Sequence, residues 1–260
     1  LHSFPTRRSS DLMSNRGRTI MQLYVHIELD EPLVLPINYN HIIQAVIYRT
    51  LSVMPDYTDF LHNRGYSSGH RQYKMFQFSQ LKGKYRIKEK SIIFYSFIEL
   101  EIRSPEPLLI QLLDGGFRYG GITFGQKNYK NIRTKINDFT VEKEELIVKT
   151  VTPIVVYSTD STTKYTVYYS PEDIEFYEEI QNNAYRKYQA YYGVEPDSYV
   201  EIREAGDMTA KKLVTKYQGS YIEAWYGNFI LSGKRKYLDF LYQTGLGSKN
   251  SQGFGMFNII

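Results

Sequence analysis

Residues 245–255 read GLGSKNSQGFG and place four glycines, Gly245, Gly247, Gly253 and Gly255, in two glycine-apolar-glycine pairs around a polar middle that contains Lys249. Glycine visits positive φ freely and lets a second backbone come close, so this run reads as a loop between two regular elements. It follows a helical pattern that opens with Lys234, Arg235 and Lys236, and it leads into an apolar closing strand, Phe254 to Ile260. Such a loop can turn its N–H groups toward an anion, as a nest does, with phosphate the obvious candidate. The plainer alternative is a glycine-rich hairpin before the last strand.

Upstream, the apolar pattern switches between periods of 2 and 3.6 residues. Residues 1–12, LHSFPTRRSSDL, lack either period and read as a non-native leader, with Met13 or Met21 as the expected start. Met21 to Leu29 alternates as a half-buried strand. Asn40 is placed to cap a helix through Ile42, Ile43, Val46, Ile47 and Leu51, which Pro55 ends. A second short helix follows, capped by Asp56, with Phe60 and Leu61 inward and Gly65 as its stop. Gln72 to Leu81 and Ser91 to Ile102 read as strands, Pro107 to Leu113 as a helix, and the stretch after Gly121 as strand-rich to about Thr140.

The order strand, helix, strand, strand, helix, strand is the ferredoxin-like plan, and it recurs as a pattern in the second half. Leu146 to Tyr157 is an apolar strand, and Ser170 to Asp173 starts a helix whose stripe is Ile174, Tyr177, Ala184, Tyr185 and Tyr188. Strands at about 199–217 and 221–231 follow, then the helix Lys234 to Gln243, the glycine loop and the last strand. The fold class expected is α+β: two tandem ferredoxin-like (RRM-like) βαββαβ domains with antiparallel sheets, residues 13–142 and 143–260.

A chain of 260 residues accommodates two such domains. It has no cysteine, hence no disulfide or thiolate site, which fits a cytoplasmic protein. No apolar run is long enough to cross a bilayer, so no membrane partner is expected. The net charge of +4 is mild, but Arg71, Lys74, Lys82, Lys84, Arg86, Lys88 and Lys90 cluster against the single acid Glu89. That segment is either a solvated basic hairpin or a surface that tracks phosphates. The 25 tyrosines and 14 phenylalanines offer stacking faces that suit RNA bases, although most such rings serve cores and sheet surfaces.

Histidines 2, 26, 41, 62 and 70 show no metal-binding spacing, and no acidic cluster offers hard oxygen ligands, so neither a metal nor another cofactor is expected. Phosphate-binding and dinucleotide signatures are also missing. Acid-base chemistry by side chains remains. RNA permits it because its 2′-hydroxyl is a nucleophile beside the phosphodiester, needing a base, an acid for the departing 5′-oxygen and a cation for the charge on phosphorus.

The glycine loop resembles the final signature of the CRISPR-associated repeat-processing endoribonucleases, the sixth Cas family. That signature is a G-apolar-G pair, a polar insert holding a Lys or Arg, and a second G-apolar-G pair. The segments Tyr39 to Ser79 and Thr152 to Ile260 are similar to the family as well. The resemblance implies a metal-independent endoribonuclease that cuts CRISPR precursor RNA within each repeat, leaving a 2′,3′-cyclic phosphate and a 5′-hydroxyl. It aligns the YNH at Tyr39 to His41 with the entry to the family's first helix, which runs through Tyr48. It aligns FLHNRG at Phe60 to Gly65 with the segment bearing the catalytic histidine, and Tyr73 to Phe76 with that bearing the catalytic lysine. Tyr48, His62 and Lys74 are then the catalytic candidates, with the acid and base roles of Tyr48 and His62 open.

His62 in the last turn of a short helix sits where the dipole favours positive charge. The bland alternatives are a core Tyr48, a surface His62 and a solvated Lys74; His41 is the runner-up histidine. The insert Gly65 to Gly69 lengthens the spacing to Lys74 beyond the family's usual arrangement, which leaves Arg71 or Arg64 as substitutes. RNA-binding candidates are Gly245, Gly247, Lys249, Gly253, Gly255, Arg71, Lys234 and Arg235. Other CRISPR-associated subunits and a second copy of the chain are possible protein partners. Two competing functions stand beside the enzyme: a non-cleaving guide-RNA subunit of an interference complex with the same fold, and an unrelated ferredoxin-like nucleotide binder.

Overall fold

The computed structural model describes residues 20–206, 210–217 and 219–260; the expected leader, residues 1–12, and the proposed start at Met13 lie outside them. The first half runs β1 (Ile20–Glu28), β2 (Leu33–Pro36), α1 (Asn40–Leu51), and α2 (Pro55–Asp59), which passes into one π-helical turn, Phe60–Arg64. A small hairpin follows, β3 (Tyr66–Ser68) and β4 (Arg71–Tyr73), then β5 (Gln77–Phe78), β6 (Lys82–Lys88), β7 (Ser91–Ser104), α3 (Pro107–Gly120), the short pair β8 (Ile122–Phe124) and β9 (Lys127–Tyr129), and β10 (Ile132–Phe139). β1 pairs antiparallel with β10 on one side and β7 on the other, while β2 extends along β7 and β5 and β6 line its far edge. The spatial order of the principal strands, fourth, first, third, second, is that of a ferredoxin-like sheet.

Alternation dictates the core. Leu23, Val25 and Ile27 of β1 and Ile98, Leu100 and Ile102 of β7 point to the face covered by Ile43, Val46, Ile47 and Leu51 of α1 and by Leu109, Ile110, Leu113 and Phe117 of α3. At the crossing of the two helices, a Cβ on Gly116 would lie 2.3 Å from Thr50 Cγ2, so glycine sets how closely they approach.

The second half repeats the plan: β11 (Glu145–Thr150), a hairpin of β12 (Tyr157–Thr159) and β13 (Thr166–Tyr168), α4 (Ile174–Tyr192), β14 (Glu201–Glu204), a hairpin of β15 (Lys211–Tyr217) and β16 (Ser220–Tyr226), β17 (Asn228–Ser232), α5 (Arg235–Thr244) and β18 (Phe257–Ile259). Its sheet runs β14–β17–β11–β18, again second, third, first, fourth. Apart from Met75, which packs into the second core, the two main cores divide between Tyr129 and Val141. A buried polar seam joins them. Arg103 on β7 donates through Nε to Glu101 (2.6 Å), through Nη1 to the Phe257 carbonyl (2.6 Å) and through Nη2 to Asn258 Oδ1 (2.6 Å), and its guanidinium lies 4.0 Å from the Tyr242 ring centroid. Removing one partner of such a buried pair, Arg103 with Glu101, leaves an uncompensated charge and is strongly destabilising.

Several expected elements shift. Asn40 does not cap α1 with its side chain; Tyr39 holds the cap position, and the Asn40 amide is used elsewhere. Asp56 lies inside α2 because Pro55 takes the first helical position. The strand expected over 72–81 breaks at 74–76, where Met75 has φ 54°. α3 continues seven residues past Leu113, to Gly120, since the α1 contact stabilises a helix through glycines that would weaken an isolated one. α4 begins after Asp173, and its buried stripe is Phe176, Ile180, Asn183, Ala184, Lys187 and Tyr188, while Ile174 is 70% exposed. The strands expected over 199–217 and 221–231 each divide in two, because β15 and β16 leave the sheet as a separate hairpin. No helix among the described residues is long and apolar enough to cross a membrane.

Candidate active site

α1 supplies one rigid face. Asn40, Gln44 and Tyr48 are spaced four residues apart and line up along it. At its C-terminal end the half-exposed Tyr48 ring meets the His62 imidazole edge-on, with centroids 5.2 Å apart, and rests against Phe76 at 5.9 Å. His62 is exposed on the π-helical turn, anchored by the buried Leu61 beside it. Its Nδ1 lies 2.9 Å from Asn63 Oδ1, and the Asn63 amide donates to Asp59 at 2.5 Å. This chain of contacts orients the imidazole, and among the described residues none bonds to Nε2.

Lys74 completes the cluster. Its Nζ donates to the His62 carbonyl at 2.9 Å. The eleven residues between them are absorbed by the β3–β4 hairpin, which docks on α4 through Ser68 Oγ to Gln189 Oε1 (2.9 Å) and returns the chain to its starting point. Gly65, at φ 63°, ends the π turn, and a Cβ there would meet the Tyr73 carbonyl at 2.6 Å and Lys74 Nζ at 3.3 Å. Glycine therefore makes the room in which Lys74 lies. Burial lowers the Lys74 pKa and raises that of Tyr48, to which the Tyr217 phenol adds a smaller push. Tyr48 is thus a neutral hydroxyl at physiological pH.

The other end of α1 grips the glycine loop. Asn40 Nδ2 donates to the carbonyl of Gln252 (2.9 Å) and Gln44 Nε2 to that of Ser251 (2.8 Å). The four glycines are close-approach points for protein atoms. Added Cβ atoms would lie 2.7 Å from Gln77 Oε1 and Asn250 Nδ2 at Gly245, 2.6 Å from the Val155 carbonyl at Gly247, 2.7 Å from Asn40 Nδ2 and Phe78 at Gly253, and 2.0 Å from the Leu246 carbonyl at Gly255. Lys249 stands at φ 61° with Nζ 5.2 Å from the centre of the Tyr157 ring, and burial lowers its pKa. Beside the loop, Asn38, Asn40, Gln80, Thr215, Lys216 and Gly253 help line a groove of about 220 Å³ between α1 and the β15–β16 hairpin.

The remaining sequence candidates are elsewhere. Arg71 is half-buried on β4 near Tyr73, and Arg64 lies 3.8 Å from Asp59 and over the Phe60 ring. Lys234 and Arg235 occupy the N-terminal end of α5, about 15 Å along its axis from the glycine loop, with Lys234 Nζ 4.0 Å from Asp197. His41 is exposed, with Nδ1 2.9 Å from the Asn38 carbonyl, two turns of α1 away from Tyr48. Lys82 to Lys90 form the exposed edge strand β6 and the turn after it. Sequence reasoning missed Asn40 and Gln44 as loop ligands, and it missed Lys187, whose Nζ donates to the Gly245 carbonyl (2.7 Å) and Asn250 Oδ1 (2.9 Å). The available signal was a lysine in phase with the buried stripe of α4.

Comparison with known proteins agrees with this architecture. The family model for the C-terminal part of the CRISPR-associated protein Cas6 matches residues 125–259. Over 252 residues the chain is 28% identical to "CRISPR-associated endoribonuclease Cas6 1" of Methanocaldococcus jannaschii, covering 92% of each chain. It is 25% identical to "CRISPR-associated endoribonuclease Cas6" of Pyrococcus furiosus over 88% of this chain and 85% of that one. A solved structure described as "CRISPR associated protein Cas6" superposes with a TM-score of 0.73 at 27% identity, covering 93% of this chain and 99% of the other. With a model of that family spanning more than half its residues and two ferredoxin-like sheets in the matching order, the chain belongs to the Cas6 family of CRISPR-associated proteins.

Proposed function

We propose that this protein is a metal-independent endoribonuclease that cleaves CRISPR precursor RNA within its repeats. Residues 13–142 would carry the catalytic domain and residues 143–260 the domain bearing the RNA-gripping glycine loop, in a cytoplasmic protein. The observation that carries the proposal is the convergence of Tyr48, His62 and Lys74 at one end of the helix whose other end holds the glycine loop. The endoribonuclease names of the relatives that cover most of this chain support it.

In the proposed reaction the 2′-oxygen attacks the adjacent phosphorus while the bond to the 5′-oxygen breaks. Because its hydroxyl stays protonated, Tyr48 orients the 2′-hydroxyl and does not act as its base; the 2′ proton passes to solvent water. His62 delivers a proton to the departing 5′-oxygen through its exposed nitrogen. Lys74 supplies fixed positive charge to the phosphorane, where a preorganised donor contributes most. The products are a 2′,3′-cyclic phosphate and a 5′-hydroxyl. Lys249, Arg71, Lys234, Arg235 and the edge strand β6 hold the RNA backbone, which makes affinity fall steeply with salt. Association with other CRISPR-associated subunits, and pairing of two copies, belong to the same proposal; sedimentation with and without repeat RNA tests the latter.

Incubating repeat RNA with the protein in EDTA tests the chemistry. Wild type should cut and leave the stated end groups, while His62→Ala should bind with similar affinity and cut about 10²- to 10⁴-fold more slowly. Binding without cutting by wild type would instead identify a guide-RNA subunit. Tight ATP binding together with RNA affinity insensitive to salt would identify a nucleotide binder.

A further inference from the structure

Among the described residues, Lys187 is the one lysine sealed inside the protein, 2% exposed. Three acceptors surround its ammonium: the Gly245 carbonyl (2.7 Å), Asn250 Oδ1 (2.9 Å) and, at 3.4 Å, the Thr244 carbonyl. They match the three donors of a protonated lysine, and two of them lie at the negative end of the α5 dipole. No carboxylate or other charged side chain contributes, so burial alone pulls its pKa from 10.5 down to about 7. The loop's own cation, Lys249, is turned to Tyr157, and Tyr191 on the next turn of α4 donates to the Pro105 carbonyl.

A buried cation without a counter-ion costs several kcal/mol, and a methionine would pack in its place more cheaply. What methionine lacks is a hold on Asn250. The Asn250 amide donates to the Leu246 carbonyl (3.0 Å) and the Phe254 carbonyl (3.1 Å), the central residues of the two glycine-apolar-glycine pairs. One side chain therefore ties both halves of the loop together, and Lys187 fixes that side chain from α4.

We propose that Lys187 is a positioning residue: it holds Asn250 at the centre of the glycine loop and thereby fixes the loop surface around Lys249 and Ser251 that RNA meets. The first half of this inference concerns the loop alone; the second rests on the proposed RNA-binding role.

Limited proteolysis without RNA tests the first half. Trypsin cuts after Lys249 only when the loop opens, and release of the peptide 250–260 is followed by mass spectrometry. Lys187→Met should nick at least tenfold faster than wild type. Wild-type nicking, corrected for trypsin's own pH profile, should slow as pH rises above about 7, because the closed loop favours the neutral form of Lys187 over the open one, while Lys187→Met should show no such dependence. Asn250→Ala, a change at a half-exposed loop residue, should also nick faster and decides the matter if the buried substitution prevents folding. Unchanged nicking in the folded variants overturns the inference. Affinity for repeat RNA, measured in parallel, should weaken at least fivefold. Faster nicking with unchanged affinity would support Lys187 as the loop's clamp while refuting the loop as an RNA contact.

Discussion

Gly255→Ala should destabilise the protein far more than the same change at Gly193, although the two glycines have nearly the same φ, 77° and 71°. Both pay the left-handed penalty of an added Cβ, about 1–2 kcal/mol. At Gly193, the C-cap of α4, the Cβ would point into open space, with nothing within 4 Å, so the penalty ends there. At Gly255 the new atom would sit 2.0 Å from the Leu246 carbonyl oxygen and 2.6 Å from Asn250 Nδ2. A backbone oxygen cannot swing aside as a side chain does. Relief must break the bond from Leu246 N to the Gly255 carbonyl (2.9 Å) and the two that Asn250 donates to Leu246 and Phe254. Three hydrogen bonds at roughly 1 kcal/mol each bring the cost at Gly255 to about 4–5 kcal/mol. For a chain of this size 1 kcal/mol moves Tm by about 2–4 °C. Thermal melts should therefore drop by about 10 °C or more for Gly255→Ala and by about 3–5 °C for Gly193→Ala. Losses within a degree of one another would refute the claim that the loop glycines exist for close packing rather than for φ alone.

Two further outcomes follow from the same contacts. The double change Asn40→Ala and Gln44→Ala removes the side-chain bonds from α1 to the loop carbonyls of Ser251, Gln252 and, at 3.4 Å, Gly253; it should lower stability in urea by about 2 kcal/mol and weaken RNA binding, with the two single changes coupled in a double-mutant cycle because they share one loop. Lys187 makes stability depend on pH: its pKa is about 7 folded and 10.5 unfolded, so between those values the unfolded chain holds the extra proton and stability rises with pH. Chemical denaturation between pH 7 and 10 should show that rise in wild type and a flatter profile in Lys187→Met.

The sheet plan was legible because alternation in 21–29 and 91–102 has one reading, and because helices separated the strands in the same order twice. What misled was competition between local signals and tertiary contacts. Gly115 and Gly116 look like a helix end, yet α3 runs through them because Gly116 meets Thr50 on α1. Asn40 looks like a cap, yet its amide is more useful 212 residues away on the glycine loop. The expected α4 stripe shares Ala184 and Tyr188 with the buried one, which also takes in Asn183 and Lys187, polar residues that an apolar pattern does not pick out. At the site, Tyr48, His62 and Lys74 were named from a family resemblance, and no spacing rule alone would have joined them. The long insert before Lys74 proves to be a hairpin, which returns the chain and keeps the ends of the insert adjacent.

One helix links the two regions that matter. Asn40 and Tyr48 are eight residues apart on α1, about 12 Å along a rigid axis, and the loop bonds at the first position while the His62 contact lies at the second. A flexible loop normally drifts relative to a distant side chain, but here the α1 side chains, the Lys187 ammonium and the packed glycines restrain it from three directions. The glycines therefore need not touch RNA to matter to it. By letting protein backbone pack closely they hold the loop at a fixed distance from the imidazole, and on the roles proposed above, loop as grip and His62 as proton donor, that fixed distance would select one phosphate in a strand of many. Errors in that distance weaken orientation first, and misplacement by about 1 Å can cost about 10²-fold in rate. Loop changes should thus depress cleavage of bound RNA as well as binding, whereas loss of an exposed basic residue such as Lys88 should affect binding alone.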